Sequence, residues 1–236
     1  MKQSFQLATF LFIDTAGPNA TIAICKDYQV LAIESNSESN THASFVQVAI
    51  ERAMNNATMQ WAGIDAIVVT MGPGSYTGLR VGLSSAKGIA YALNKPLIGL
   101  STLSLLAAHA SDHKLTKGLE TNYQIFCMID ARRMEVFGTV YDANKVSVIQ
   151  EQPIELSITY LEQLLQNGAL ICIGDGVTKT KQLHNAPGLL FIDESYEIKD
   201  MIQLAEAKWG KADFEDIAYS SPSYLKDFYQ IPPKSV

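Results

Sequence analysis

At 236 residues the chain is long enough to bury one large core or two smaller ones. Hydrophobic residues make up 47%, charged residues 18%, and the net charge is −6, so a phosphate backbone is repelled on average and no Lys/Arg cluster offsets this. No run approaches the roughly 20 apolar residues that a bilayer crossing needs.

The chain opens with Met1-Lys2 and an apolar run, Leu7–Ile13, too short for a signal peptide and running straight into Asp14. It reads as a first strand, Phe10–Ile13, followed by a turn over Asp14–Asn19 and a strand over Ala20–Cys25. A second turn at Lys26-Asp27 leads into Gln29–Glu34, which completes a three-stranded meander. A polar loop, Ser35–Asn40, precedes a helix from His42 to Ala57. Next comes Ile67-Val68-Val69-Thr70-Met71, whose β-branched residues mark a buried strand. It ends in Gly72-Pro73-Gly74-Ser75-Tyr76-Thr77-Gly78, and a helical pattern then runs to Leu93, with Ser75 or Thr77 as its cap. Lys95-Pro96 stops that helix, and Leu97–Leu100 is one more strand. The order is βββαβαβ.

Ser101–His113 reads as a connecting helix, after which the pattern repeats. Tyr123–Ile129, Met134–Tyr141 and Lys145–Gln150 are strands, and Ile158–Gln166 is a helix capped by Ser157 or Thr159. Leu170–Ile173, Gly174-Asp175-Gly176, a short helix near Lys179–His184 and a strand Leu189–Ile192 follow. Ile13-Asp14 matches Ile129-Asp130, and Gly72-x-Gly74 matches Gly174-x-Gly176, which indicates an internal duplication. A late helix, Met201–Trp209, packs on one lobe or the other. The tail from Ser221 to Pro232-Pro233 reads as extended. The predicted division is residues 1–100 as a partner-binding lobe and 101–236 as a second lobe.

Chemistry-bearing residues are few. Cys25, Cys127 and Cys172 sit in apolar runs without C-x-x-C spacing and read as reduced core cysteines. The Gly72–Gly78 loop has the spacing G-x-G-x-x-x-G, which fits neither the dinucleotide fingerprint nor the P-loop nor a nucleophile elbow. It is either a phosphate nest or a structural corner, with Gly72, Gly74, Ser75 and Thr77 as candidate cofactor contacts. On the helix after it, Leu79, Leu83, Ala86, Ala90 and Leu93 form a core-facing stripe. A second stripe, Val81, Ser85, Gly88 and Ala92, is small throughout, and a third, Arg80, Ser84, Lys87 and Tyr91, is amphipathic. On the preceding helix, Phe45, Val46, Val48, Ala49, Ile50, Ala53, Met54 and Ala57 cover more than half the circumference, wider than the stripe of about 100° that one sheet needs. These two helices are expected to leave an apolar face for a partner. His109 and His113 stand at i, i+4, but Ala110 occupies the place of the glutamate in H-E-x-x-H, so they read as exposed helix-end residues, and His42 and His184 as surface or cap residues. Arg132, Arg133 and Glu135 form a glycine-free turn that reads as a local Arg–Glu pair.

Two lobes of βββαβαβ with an acid in the first turn resemble the actin/hexokinase/Hsp70 superfamily, an α/β fold that implies a nucleotide between lobes. Fold alone assigns no activity. More specifically, Gly72–Gly82, Ala86-Lys87-Gly88 and Gly99–Leu103 resemble the signature of the TsaB (YeaZ) family. Ile129-Asp130-Ala131-Arg132, Glu135-Val136-Phe137 and Pro222–Lys226 match further segments, with Lys226 where that family has Arg.

The resemblance implies a cytoplasmic accessory protein for threonylcarbamoyladenosine formation in tRNA. It would bind the catalytic paralogue TsaD through Phe45, Ala49, Arg80, Ser84, Ser85, Gly88 and Tyr91, with the ATPase TsaE as a further partner. Alone it would be a homodimer through the same face, and it would meet tRNA only within the complex. TsaD carries an H-x-x-x-H metal motif where this chain has Ser101-Thr102-Leu103-Ser104-Leu105-Leu106. The chain is therefore expected to be non-catalytic, with no metal or cofactor of its own, leaving open a nucleotide at the TsaD interface. The alternatives are a small ATPase or kinase using Asp14 and the glycine loop, and, more remotely, an M22-like metallopeptidase using His109 and His113.

Overall fold

The computed structural model describes residues 8–37, 42–119 and 122–226. The apolar start before Ala8, the end of the loop that runs to Asn40, the side chain of His42 and the tail beyond Lys226 lie outside the described residues. The first half holds β1 (Thr9–Asp14), β2 (Ala20–Lys26), β3 (Gln29–Asn36), α1 (His42–Asn56), β4 (Ala66–Gly72), α2 (Tyr76–Leu93) and β5 (Leu97–Ser101). The linking helices are α3 (Thr102–Asp112) and the short α4 (Lys114–Lys117), which lies beyond the connecting helix expected from sequence. The second half holds β6 (Tyr123–Asp130), β7 (Glu135–Asp142), β8 (Ser147–Glu155), α5 (Ile158–Leu165), β9 (Ala169–Ile173), α6 (Val177–Leu183), β10 (Leu189–Ile192) and α7 (Ile198–Lys211).

Two five-stranded sheets result, ordered β3-β2-β1-β4-β5 and β8-β7-β6-β9-β10. In each, the meander pairs antiparallel and the two later strands join parallel. The duplication therefore extends to topology. Gly72 and Gly174, at equivalent positions, share positive φ values of 106° and 104°, a conformation that L side chains rarely adopt.

Alternation along β1 sorts the core by period two. Leu11 and Ile13 face α1 and α2 with Val46, Ala49, Ile50, Leu83, Ala86 and Ala90. Phe10 and Phe12 face the other way, onto Met201, Ile202 and Ala205 of α7, which settles that helix on the first lobe's sheet. Helix α3 lies between the sheets: Leu105 joins the core beneath β1, while Leu103, Leu106 and Ala110 join Ile125, Cys127 and Ile171 of the second sheet. A helix buried on opposite sides must be apolar nearly all round, as Thr102–Ala110 is. The three cysteines are buried and free. Burial pushes the Cys25 and Cys172 thiols up to about 12 and Cys127 well above its ordinary value, so they are inert hydrophobes. Among the described residues, no helix is long and apolar enough to cross a membrane.

Candidate functional site

The residues singled out by sequence fall at two places: a cleft between the lobes and the outer flank of α1–α2. The cleft has a volume of about 790 Å³. The first lobe supplies Ala16–Pro18 and Gly74–Tyr76; the second supplies Ile129–Arg132, Gly174-Asp175, Val177 and the segment Asp193–Ser195. Of the four glycine-loop candidates, Gly74 and Ser75 line it, whereas Gly72 and Thr77 do not. Several of the loop's polar groups are used internally. Ser75 N donates to Ala16 O at 2.7 Å, and Ser75 Oγ caps α2 by accepting from Gly78 N at 3.3 Å. Thr15 Oγ1 donates to Gly78 O at 2.7 Å, and a Cβ at Gly74 would collide with the Ala16 carbonyl. This is a docking corner between the first turn and α2.

The second lobe's turn differs from the sequence expectation. Glu135 pairs with Lys226 of the tail rather than with Arg132 or Arg133. Asp130 Oδ1 accepts from Arg132 N at 2.6 Å and meets Lys179 Nζ at 3.0 Å. Partial burial works to raise the Asp130 carboxyl, but the Arg132 amide and the Lys179 ammonium outweigh it and hold it below its ordinary value. The cleft presents Asp130, Asp175, Asp193 and Glu194 against Arg132. The charged lining is thus mainly acidic, and the loop amides of Ser75 and Gly78 are taken up within the fold, a poor environment for a nucleotide's phosphates.

The histidines are also corrected. His109 is 8% exposed rather than on the surface, and its Nδ1 lies 2.9 Å from Asp200 Oδ2. Asp200 Oδ2 also accepts from Glu197 N at 2.7 Å and so caps α7. His113 caps α4, with Nδ1 accepting from Leu115 N at 3.2 Å. Among the described residues, no group of three or more His, Cys, Asp or Glu side chains could hold a metal ion.

On the flank of α2, Ser84 and Gly88 are exposed, and Tyr91 is 80% exposed. A Cβ built at Gly88 would meet nothing within 4 Å. Ser85 Oγ accepts from Gln47 Nε2 at 3.0 Å, tying the two helices together. Ala49 is corrected: it is fully buried against the first sheet and cannot touch a partner. Phe45 is half-buried against the same core, and of the wide apolar surface of α1 only Val48 stays largely open. The excess width is consumed because α1 packs on β2, β3 and α2 at once. Arg80, also singled out, is held by the chain's own tail. Its Nε donates to Tyr224 Oη at 2.8 Å and its guanidinium lies 4.0 Å over the Tyr76 ring. Lys87 Nζ donates to Ala218 O and Ser220 O at 3.2 and 2.9 Å. The sequence pattern had no signal for these tail contacts, which span more than a hundred positions.

The family described as TsaD: tRNA N6-adenosine threonylcarbamoyltransferase matches residues 29–227 of this chain. An uncharacterised Mycobacterium tuberculosis protein is 33% identical over 58% of this chain and 60% of its own length, so the chain spans less than two thirds of that relative. The Escherichia coli protein named tRNA threonylcarbamoyladenosine biosynthesis protein TsaB is 26% identical over 92% of this chain and 94% of its own. Among solved structures, YeaZ from Pseudomonas aeruginosa superposes with a TM-score of 0.73 at 21% identity, over 92% of this chain and all of that one. An Arthrobacter polyphosphate/ATP-glucomannokinase shares the fold at a TM-score of 0.50 and 11% identity, over 84% of this chain and 98% of its own. The two-lobed arrangement of paired five-stranded sheets is therefore a fold shared with that sugar kinase. The chain belongs to the family described as TsaD: tRNA N6-adenosine threonylcarbamoyltransferase, and within it is similar to the proteins named TsaB and YeaZ.

Proposed function

We propose that this protein is the accessory subunit for threonylcarbamoyladenosine formation in tRNA, and that the transfer chemistry belongs to a TsaD paralogue which it binds and activates. The first lobe, residues 1–100, is the binding lobe, and TsaE joins the pair. The protein works in the cytoplasm, meets tRNA only through the complex, and pairs with itself when the paralogue is absent. The observation that carries this reading is the open flank at Gly88 beside Ser84 and Tyr91, where a neighbouring backbone can come close and a large aromatic stands ready to be covered. The cleft adds support, because its charged lining is mainly acidic and the Ser75 amide is engaged within the fold. A nucleotide held with the paralogue is the one cofactor role kept here. The family relationship and the biosynthetic name of the Escherichia coli relative support the pathway.

The test is reconstitution. The purified chain is mixed with TsaD and TsaE from the same source, ATP, the threonylcarbamoyl precursors and tRNA, and modified adenosine is measured with and without it. Modification should require this chain, and the chain alone should yield none. Tight ATP–Mg²⁺ binding with turnover by the isolated chain, seen by calorimetry, would instead favour a small ATPase or kinase.

A further inference from the structure

The duplicated lobes provide an internal comparison. Asp14 ends β1 and Asp130 ends β6, and each carboxylate accepts from the amide two residues on, Ala16 N at 3.1 Å and Arg132 N at 2.6 Å. Beyond that they differ. The Asp130 side chain is 42% exposed, lines the cleft and pairs with Lys179. Asp14 is buried, at 6% exposure, and lies outside the cleft lining. Its Oδ1 accepts from Thr70 Oγ1 at 2.8 Å, and its Oδ2 accepts from the Tyr196 hydroxyl at 2.9 Å.

Tyr196 is the residue where the lobes meet. It packs against the core shared by the first sheet and α7, and also against the core shared by the second sheet and α3. It directly follows Asp193–Ser195 of the cleft wall. Burial and the adjacent Asp14 carboxylate push the phenol well above its ordinary value, so it keeps its proton and remains a donor. A buried carboxylate deprived of a donor is costly. Any opening that draws Tyr196 from Asp14 removes one donor from a buried carboxylate, although Ala16 N and Thr70 Oγ1 still serve its other oxygen.

We propose that the Tyr196–Asp14 hydrogen bond is a latch that holds the two lobes closed, and that whatever parts the lobes, a ligand in the cleft or a docked partner, must first break it. This stands apart from the accessory-subunit reading and needs only the isolated chain to test.

The variant is Tyr196→Phe, which keeps the ring and removes the hydroxyl. Native-state hydrogen exchange should show the amides of residues 14–18 and 193–197 exchanging at least about tenfold faster, with β6, β7 and β9 unchanged. Asp14→Asn, whose carbonyl can keep accepting from Ala16 N and Thr70 Oγ1 while its NH2 donates to the Tyr196 hydroxyl, should stay within about threefold of the original. Spin labels placed by Glu51→Cys on α1 and Glu162→Cys on α5, both exposed, should report a narrow interlobe distance that broadens or lengthens in Tyr196→Phe. Unchanged exchange at both segments, uniform acceleration throughout both lobes, or an identical distance distribution would each overturn the latch.

Discussion

Single residues show how far a side chain's chemistry depends on what the fold brings to it. Ala49 is small and sits in an apolar pattern, which suits a docking face and a core equally; the structure places it against the sheet with no exposure. Ala49→Glu should therefore destabilise the protein by more than about 3 kcal/mol in urea denaturation, through a buried unpaired charge, rather than selectively weaken an interface. Glu151 is a second case. Burial raises its carboxyl, and the hydrogen bond from Ser101 Oγ only partly offsets this. A carboxyl raised in the folded state contributes stability below its unfolded value of about 4.3 and loses that contribution as pH climbs through the folded value. Glu151→Gln, which can still accept from Ser101, should thus be the more stable protein at pH 7–8. The gap should be under about 1 kcal/mol, because the group is partly solvated, and should close towards pH 4–5 in thermal melts. His109 and Asp200 form the buried pair that docks α7 on α3. Asp200→Ala strips the α7 cap as well, and should cost about 2–4 kcal/mol with faster exchange confined first to α7.

At the level of elements, α1 and α2 carry similar apolar patterns to different ends. Helix α1 touches two strands and α2, so nearly all its apolar width is spent inside the fold. Helix α2 buries Leu79, Leu83, Ala86 and Ala90 and keeps Ser84, Gly88 and Tyr91 outward. Gly88→Arg meets no atom of its own chain. It should leave the melting temperature within a few degrees, since an exposed helical Gly gains up to about 1 kcal/mol of helix propensity on replacement. It should also abolish co-elution with TsaD on size-exclusion chromatography. Retained co-elution with an intact fold would move the interface elsewhere.

Across the whole molecule, the tail behaves as a strap. Glu215 N donates to Leu97 O on the edge of the first sheet, Ser223 N donates to Met71 O beside the glycine loop, and Lys226 pairs with Glu135 in the second lobe. Lys87, half-buried, collects two of the strap's carbonyls along the way. Lys87→Ala should expose residues 212–226 to protease roughly tenfold faster while the two sheets keep their exchange protection. Strap and latch both run from the second half of the chain back to the first, so the lobe arrangement is set by contacts remote in sequence.

Local sequence pattern determined the strands, the helices other than α4, the duplication and the special backbone at Gly72 and Gly174, because each depends on neighbours within a few positions. The family signature was legible for the same reason: it is a short run of glycines and small residues around one strand–helix corner. Which apolar faces remain open, which acid is closed and which histidine is buried could be decided only in three dimensions. Ala49, Asp14 and His109 acquire their surroundings from α1's seat on the sheet, from Tyr196 and from Asp200. Those last two partners lie 182 and 91 positions away, and no local pattern encodes a contact between residues so far apart in the chain.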